Sequence, residues 1–149
     1  MRNHGMSRTV PIVNDKYVVT LGPKCHLTCC DAVTGELIWQ KDLVAEYGTK
    51  VPPWYAGQCP RFEDGAVIIA PGGEKVLMTA IDCATGETVW TTPNDRGWDM
   101  THASIAEAEL DGKRTYVYPA TGGVVGVEPG AGTLLWSYDD WHIRIANVP

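Results

Sequence analysis

Short runs dominated by apolar side chains, each closed by a turn-forming group, recur along the whole chain and predict strands rather than helices. In a first unit they fall at residues 9–13, 16–21, 26–31 and 36–41, separated by Asn14-Asp15 and Gly22-Pro23. A second unit places them at 58–62, 66–70, 76–82 and 88–92, turning at Glu63-Asp-Gly65 and Pro71-Gly-Gly73. In a third they lie at 102–106, 115–120, 124–128 and 133–138, turning at Asp111-Gly112 and Thr121-Gly-Gly123. The run Ala66-Val-Ile-Ile-Ala70 has no polar member, as expected of a strand covered on both faces. Residues 145–149 read as the first strand of a fourth unit.

One motif punctuates these units. Asp31-Ala-Val-Thr-Gly-Glu-Leu-Ile-Trp39 returns as Asp82-Cys-Ala-Thr-Gly-Glu-Thr-Val-Trp90 and, altered, as Glu128-Pro-Gly-Ala-Gly-Thr-Leu-Leu-Trp136, with the tryptophans 51 and 46 residues apart. In Asp-x-x-Thr-Gly the carboxylate can accept from the amides of the turn, and the glycine takes the left-handed conformation that closes a short hairpin. The third copy keeps Gly132, which sterics demand, and loses the Asp and Thr, whose contribution is smaller. The tryptophan falls on the strand after the hairpin, where burying an indole contributes on the order of 4 to 6 kcal/mol. Trp39, Trp90 and Trp136 are therefore expected to wedge between neighbouring sheets.

A period near 50 residues marks a repeat architecture, and four antiparallel strands per repeat with tryptophan wedges describe the blade of a β-propeller. The Asp-x-x-Thr-Gly-x-x-x-Trp pattern resembles the PQQ-like repeat, found in pyrroloquinoline-quinone dehydrogenases and in non-enzymatic propellers such as the lipoprotein of the outer-membrane β-barrel assembly machine. The resemblance spans essentially the whole chain. It implies an all-β propeller with blades at about residues 7–42, 56–93 and 101–139 and the start of a fourth at about 144–149. A propeller closes with about four to eight blades, so three and a fraction leave an incomplete ring. The expectation is a segment of a longer protein of roughly 350 to 400 residues, or an oligomer that completes the ring.

Composition narrows the function classes. Among 149 residues, 44% hydrophobic content with 16 Gly and 10 Pro fits a turn-rich globular β protein. The 18 acidic and 12 basic side chains leave a net charge of −6 and no basic run, which speaks against nucleic acid. No apolar stretch is long enough to span a bilayer, and the opening residues lack the apolar core of a signal peptide. Five cysteines form no recognisable framework. Cys29-Cys30 occupy the register of Ala80-Ile81 and Gly126-Val127 and read as small buried residues, His26 as a packed or hydrogen-bonded core histidine, and Cys83, in a hairpin, as exposed.

Candidate chemistry lies in the loops that join each outer strand to the next inner one. Asp42-Leu-Val-Ala-Glu-Tyr-Gly48 reads as one capped helical turn. The joining loops carry Trp54, Trp98 and Trp141 and lead to Gln58, His102 and Asn147 at the mouths of the inner strands. With Tyr55 and Arg144, these residues form a candidate site for a protein or small-molecule ligand.

No catalytic constellation or metal set stands out, and Ser7, Ser104 and Ser137 lack the glycines of a nucleophile elbow. Intact blade motifs without a catalytic constellation point to a non-catalytic binding scaffold with no cofactor demonstrable, and the resemblance implies a periplasmic or extracellular location. Its alternative implication is part of an alcohol or sugar dehydrogenase using PQQ and calcium. Asp95, Asp99 and Asn147 have suitable ligand chemistry for that cofactor, but Cys29-Cys30 lie in a strand and not in the loop where that family's vicinal disulfide covers the quinone.

Overall fold

The structure, a computed structural model, describes residues 8–141. Three four-stranded antiparallel sheets follow one another along the chain, each with its strands in sequence order. Blade 1 holds β1 (Ile12–Val13), β2 (Tyr17–Leu21), β3 (His26–Asp31) and β4 (Leu37–Asp42). After a single helical turn, α1 (Leu43–Tyr47), blade 2 holds β5 (Arg61–Glu63), β6 (Ala66–Ile69), β7 (Val76–Asp82) and β8 (Thr88–Pro93). Blade 3 holds β9 (Ala106–Leu110), β10 (Lys113–Ala120), β11 (Gly123–Val127) and β12 (Leu134–Tyr138). Among the described residues the sheets do not close into a ring, and they form an incomplete propeller. The fourth-blade strand expected at residues 145–149 lies outside the described residues.

Turn chemistry accounts for the hairpins. Asp31 Oδ1 accepts from the amides of Val33 and Thr34 at 2.9 and 2.7 Å, and Asp82 Oδ1 from those of Ala84 and Thr85 at 2.9 and 2.8 Å. These hydrogen bonds to the charged form hold both carboxyls below the usual carboxylate range. Gly35, Gly86 and Gly132 all adopt φ between +70° and +75°. Each fourth strand carries a bulge at the same place, with Ile38, Val89 and Leu135 as the extra residues just before the motif tryptophan, opposite the Cys29/Cys30, Ala80/Ile81 and Gly126/Val127 steps. The inner strands begin later than the apolar pattern predicts. Pro11 and Pro60 offer no amide to a ladder, and the Cys59 and Ala103 amides are taken by the Ser104 and Thr101 hydroxyls.

β6 organises the core. Its alternate side chains go to two neighbours: Val67 and Ile69 pack with Val19, Leu21, Leu27 and Cys29 of blade 1, while Ala66 and Ile68 pack with Tyr116, Tyr118, Val125 and Val127 of blade 3. The unbroken apolar run thus reflects a sheet sandwiched between two others.

The tryptophans and hairpin glycines lock these sheets together. Trp39 of blade 1 lies over Gly86 of blade 2, where a Cβ would stand 3.0 Å from the indole Cγ, and its Nε1 donates to the Cys83 carbonyl at 2.9 Å. Trp90 of blade 2 lies over Gly132 of blade 3, where a Cβ would come within 2.3 Å of the ring. Each glycine is therefore fixed twice, by its left-handed φ and by the indole that rests on it. Trp136 covers Gly126 of its own sheet and is 37% exposed.

Two expectations fail here. Cys83 is fully buried, because the Trp39 side chain and Cys29 close over the second hairpin, and burial raises its thiol pKa to about 12. His26 is no core residue. It shares a strand face with Thr28 and Cys30, as its alternation implies, but that face is the open side of blade 1, so its ring is 45% exposed at 3.7 Å from Asp42.

Candidate functional site

The joining loops gather on one face of the propeller with the turns between second and third strands. Asp42 caps α1 by accepting from the amides of Val44 and Ala45 at 2.9 and 3.3 Å, and Gly48 ends it at φ +72°. The loop is tied down at two neighbouring turns, by Ala56 N to Pro23 O at 3.0 Å and by Glu74 N to Tyr47 O at 2.8 Å. At its tip Trp54 and Tyr55 are both left-handed, with φ +63° and +72°, and Trp54 is 43% exposed. Consecutive left-handed aromatic residues are costly, of order 1 to 3 kcal/mol each. Held this way, the Trp54 indole points outward on an anchored loop.

Of the predicted residues, the structure brings His102 and Tyr55 of two successive joining loops into contact. His102 Nε2 donates to the Tyr55 carbonyl at 2.9 Å, and the ring packs over Gly57. Gln58, which the sequence places at the channel mouth, is fully buried: Oε1 accepts from the Ala70 amide at 2.7 Å, and Nε2 donates to the Ala70 carbonyl and the Tyr118 hydroxyl at 3.3 and 3.2 Å. The same hydroxyl accepts from the Thr101 amide at 3.0 Å, and burial raises the Tyr118 pKa. Gln58 is thus a bolt between blades 2 and 3.

Trp98 is also withdrawn from the face, at 9% exposure. Its amide donates to Asn94 Oδ1 at 3.0 Å, its indole lies against Gly122 and Gly123, and the Arg96 guanidinium covers it at 5.4 Å. Trp141 is exposed at the edge of blade 3. Arg144 and Asn147 lie outside the described residues.

An open groove of about 390 Å³ runs along this face, lined by Lys50, Val51, Pro52, Pro53, Asp99 and Met100. Lys50 Nζ and Asp99 Oδ1 pair across it at 3.0 Å. Residues 50–53, immediately preceding Trp54, form most of the groove, a stretch whose Pro-Pro step could have signalled it.

Asp99 pairs with Lys50, no three carboxylate, histidine or cysteine side chains converge among the described residues, and Cys29 and Cys30 are free thiols on successive positions of β3.

A second polar cluster, unforeseen from sequence, joins blades 2 and 3 at the inner strands. Arg114 donates to Glu107 Oε1 at 2.8 Å and to Glu63 Oε1 at 2.9 Å, Arg61 pairs with Glu107, and the Tyr116 hydroxyl donates to Glu63. The Arg114 hydrogen bond is the main cause holding the Glu107 carboxyl below its usual range. Bonded partners within it lie up to 53 residues apart, so only the docked sheets bring them together.

Fold and loop face together define a propeller-type repeat scaffold with interlocked blades. The chain belongs to the PQQ-like repeat family: the family profile described as outer membrane protein assembly factor BamB matches residues 2–139. Among solved structures it is similar to BamB from Moraxella catarrhalis, with TM-score 0.61 and 18% identity over 93% of this chain and 38% of that one. It is likewise similar to the quinohemoprotein alcohol dehydrogenase from Comamonas testosteroni, with TM-score 0.60 and 18% identity over 87% of this chain and 20% of that one. The computationally designed Ika4 protein aligns with TM-score 0.56 and 13% identity over 95% of this chain and 77% of that one. No curated protein matches. The chain thus spans 38% and 20% of the lengths of the two natural propellers, and at these identities the likeness is one of fold. No helix among the described residues is long and apolar enough to cross a membrane.

Proposed function

We propose that the chain is a non-catalytic binding scaffold of the bacterial-envelope type, working in the periplasm or outside the cell, whose loop face docks a protein segment through Trp54. The observation that carries this reading is the anchored, exposed Trp54 on consecutive left-handed residues beside an open apolar groove. Strain of this kind persists where the surroundings hold it, and an exposed indole on a rigid tip is the usual anchor of a protein contact. The family profile's description as an outer membrane protein assembly factor supports the same reading.

Trp54→Ala is expected to weaken partner capture by about 2 kcal/mol or more, roughly thirtyfold, while leaving far-UV circular dichroism and Tm unchanged. A photo-crosslinking side chain at position 54 should yield a protein adduct in envelope extracts, and one at Asp111, in the β9–β10 turn, should not. Equal adducts from both positions would remove the loop face from consideration.

Likeness to the quinohemoprotein dehydrogenase supports a second reading, part of a quinone-dependent oxidoreductase. Under it, PQQ and calcium added to the protein raise Tm and support dye reduction with an alcohol or sugar; silence in both assays eliminates it.

A further inference from the structure

The junction between blades 1 and 2 holds two thiols that only the docked sheets bring together. Cys29, on β3, and Cys83, the first residue after β7, are fully buried in one core with Val67, Ile81 and the Trp39 side chain. Cys29 Sγ lies 3.5 Å from the Cys83 carbonyl oxygen, and the two side chains hydrogen-bond to each other. A sulfur that reaches the backbone of the residue opposite is within the few ångströms that a disulfide spans between two Cβ atoms.

The pair is held in register by bonds that involve no sulfur. The Cys83 amide donates to the Gly65 carbonyl at 2.9 Å, its carbonyl accepts from Trp39 Nε1 at 2.9 Å, and Cys29 stands opposite Val19 and Trp39 in the blade 1 ladder. The other cysteines are placed differently. Cys59 Sγ accepts from the Val10 amide at 3.3 Å, Cys25 has Asp42 as its charged neighbour, and Cys30 is half-buried.

We propose that Cys29 and Cys83 are the two halves of a disulfide that staples blade 1 to blade 2 when the protein folds in an oxidising compartment. The oxidant is a small disulfide such as oxidised glutathione. One cysteine thiolate attacks it and releases a glutathione thiolate; the second attacks the mixed disulfide at the cysteine sulfur and releases another. The two cysteines thus give up two electrons and two protons, and two glutathione thiols leave. Burial pushes the Cys29 and Cys83 thiols up to about 11 and about 12, and neither reaches solvent in the finished junction, so the exchange belongs to the stage before the blades dock. The bond closes a ring across 54 positions of the chain, which restricts the unfolded state and leaves the folded junction as it is. This inference is independent of any ligand at Trp54, since the joining loops contribute neither thiol.

Refolding from urea tests it, once with a mixture of oxidised and reduced glutathione and once with dithiothreitol. With glutathione the five thiols of the chain should fall by two, and trypsin should release a linked pair of peptides, 25–41 and 76–96. Because Cys25, Cys29 and Cys30 share the first peptide, the link should survive in Cys25→Ala and in Cys30→Ala and vanish in Cys29→Ala and in Cys83→Ala. The linked protein should melt about 10 °C above the reduced one. Five free thiols after refolding with glutathione overturn the proposal, as does a bond between any other pair, or a linked form that melts no higher than the reduced form. Mapping the wild type decides the matter even where an alanine variant fails to fold.

Discussion

Replacing Trp39 with alanine is expected to destabilise the protein by about 3 to 5 kcal/mol, read as a lowered urea midpoint with little change in slope. Three losses coincide at this position. The indole packs against the core shared by blades 1 and 2, its Nε1 hydrogen bond to the Cys83 carbonyl disappears, and the cradle over Gly86 becomes a void. No neighbour can refill that void, because the nearest backbone is a hairpin whose left-handed glycine fixes its path. Trp136→Ala should cost much less, since that indole already faces solvent on one side. Equal costs at the two positions would show that the repeat motif acts within each sheet and not between sheets.

Gln58→Leu is expected to cost about 2 to 6 kcal/mol, at about 1 to 3 kcal/mol for each buried polar group left unpaired. Leucine fills a similar volume, so packing is nearly conserved and the effect isolates hydrogen bonding. The substitution strands the Ala70 amide and carbonyl in a site without solvent, and it releases the Tyr118 hydroxyl from one of its donors. A drop in Tm of several degrees would place Gln58 in the framework; an unchanged Tm with weakened ligand capture would return it to the loop-face site.

Most of the scaffold is legible in the sequence because its determinants are local. A left-handed glycine, an Asp that caps its own turn and a tryptophan at fixed spacing operate within nine residues, and the period then repeats the result. The α1 turn is equally local, set by Asp42 and Gly48. What the sequence conceals is the partner of each group across a junction. Cys83 reads as a hairpin residue until Trp39, 44 residues earlier, closes over it, and Gln58 reads as a pore-mouth amide until Tyr118, 60 residues later, meets it. Trp54 and Trp98 occupy equivalent loops and are alike in sequence; Asn94 and the Gly122-Gly123 step pull one inward, while the left-handed backbone holds the other out.

The small side chains along β6, just after it and on β7 have a bearing on how the chain avoids tangling. Ala66, Ala70 and Ala80 leave room for Tyr116 and Tyr118, whereas the surface of blade 1 that meets blade 2 offers Leu21 and Leu27. Were blade 1 to skip its neighbour and seat directly on blade 3, those leucines would collide with the tyrosine rings, although indole and glycine would still fit. The shared motif makes blades interchangeable as parts, and the bulk of the residues around it writes their order, a safeguard against the misassembly to which tandem arrays are prone.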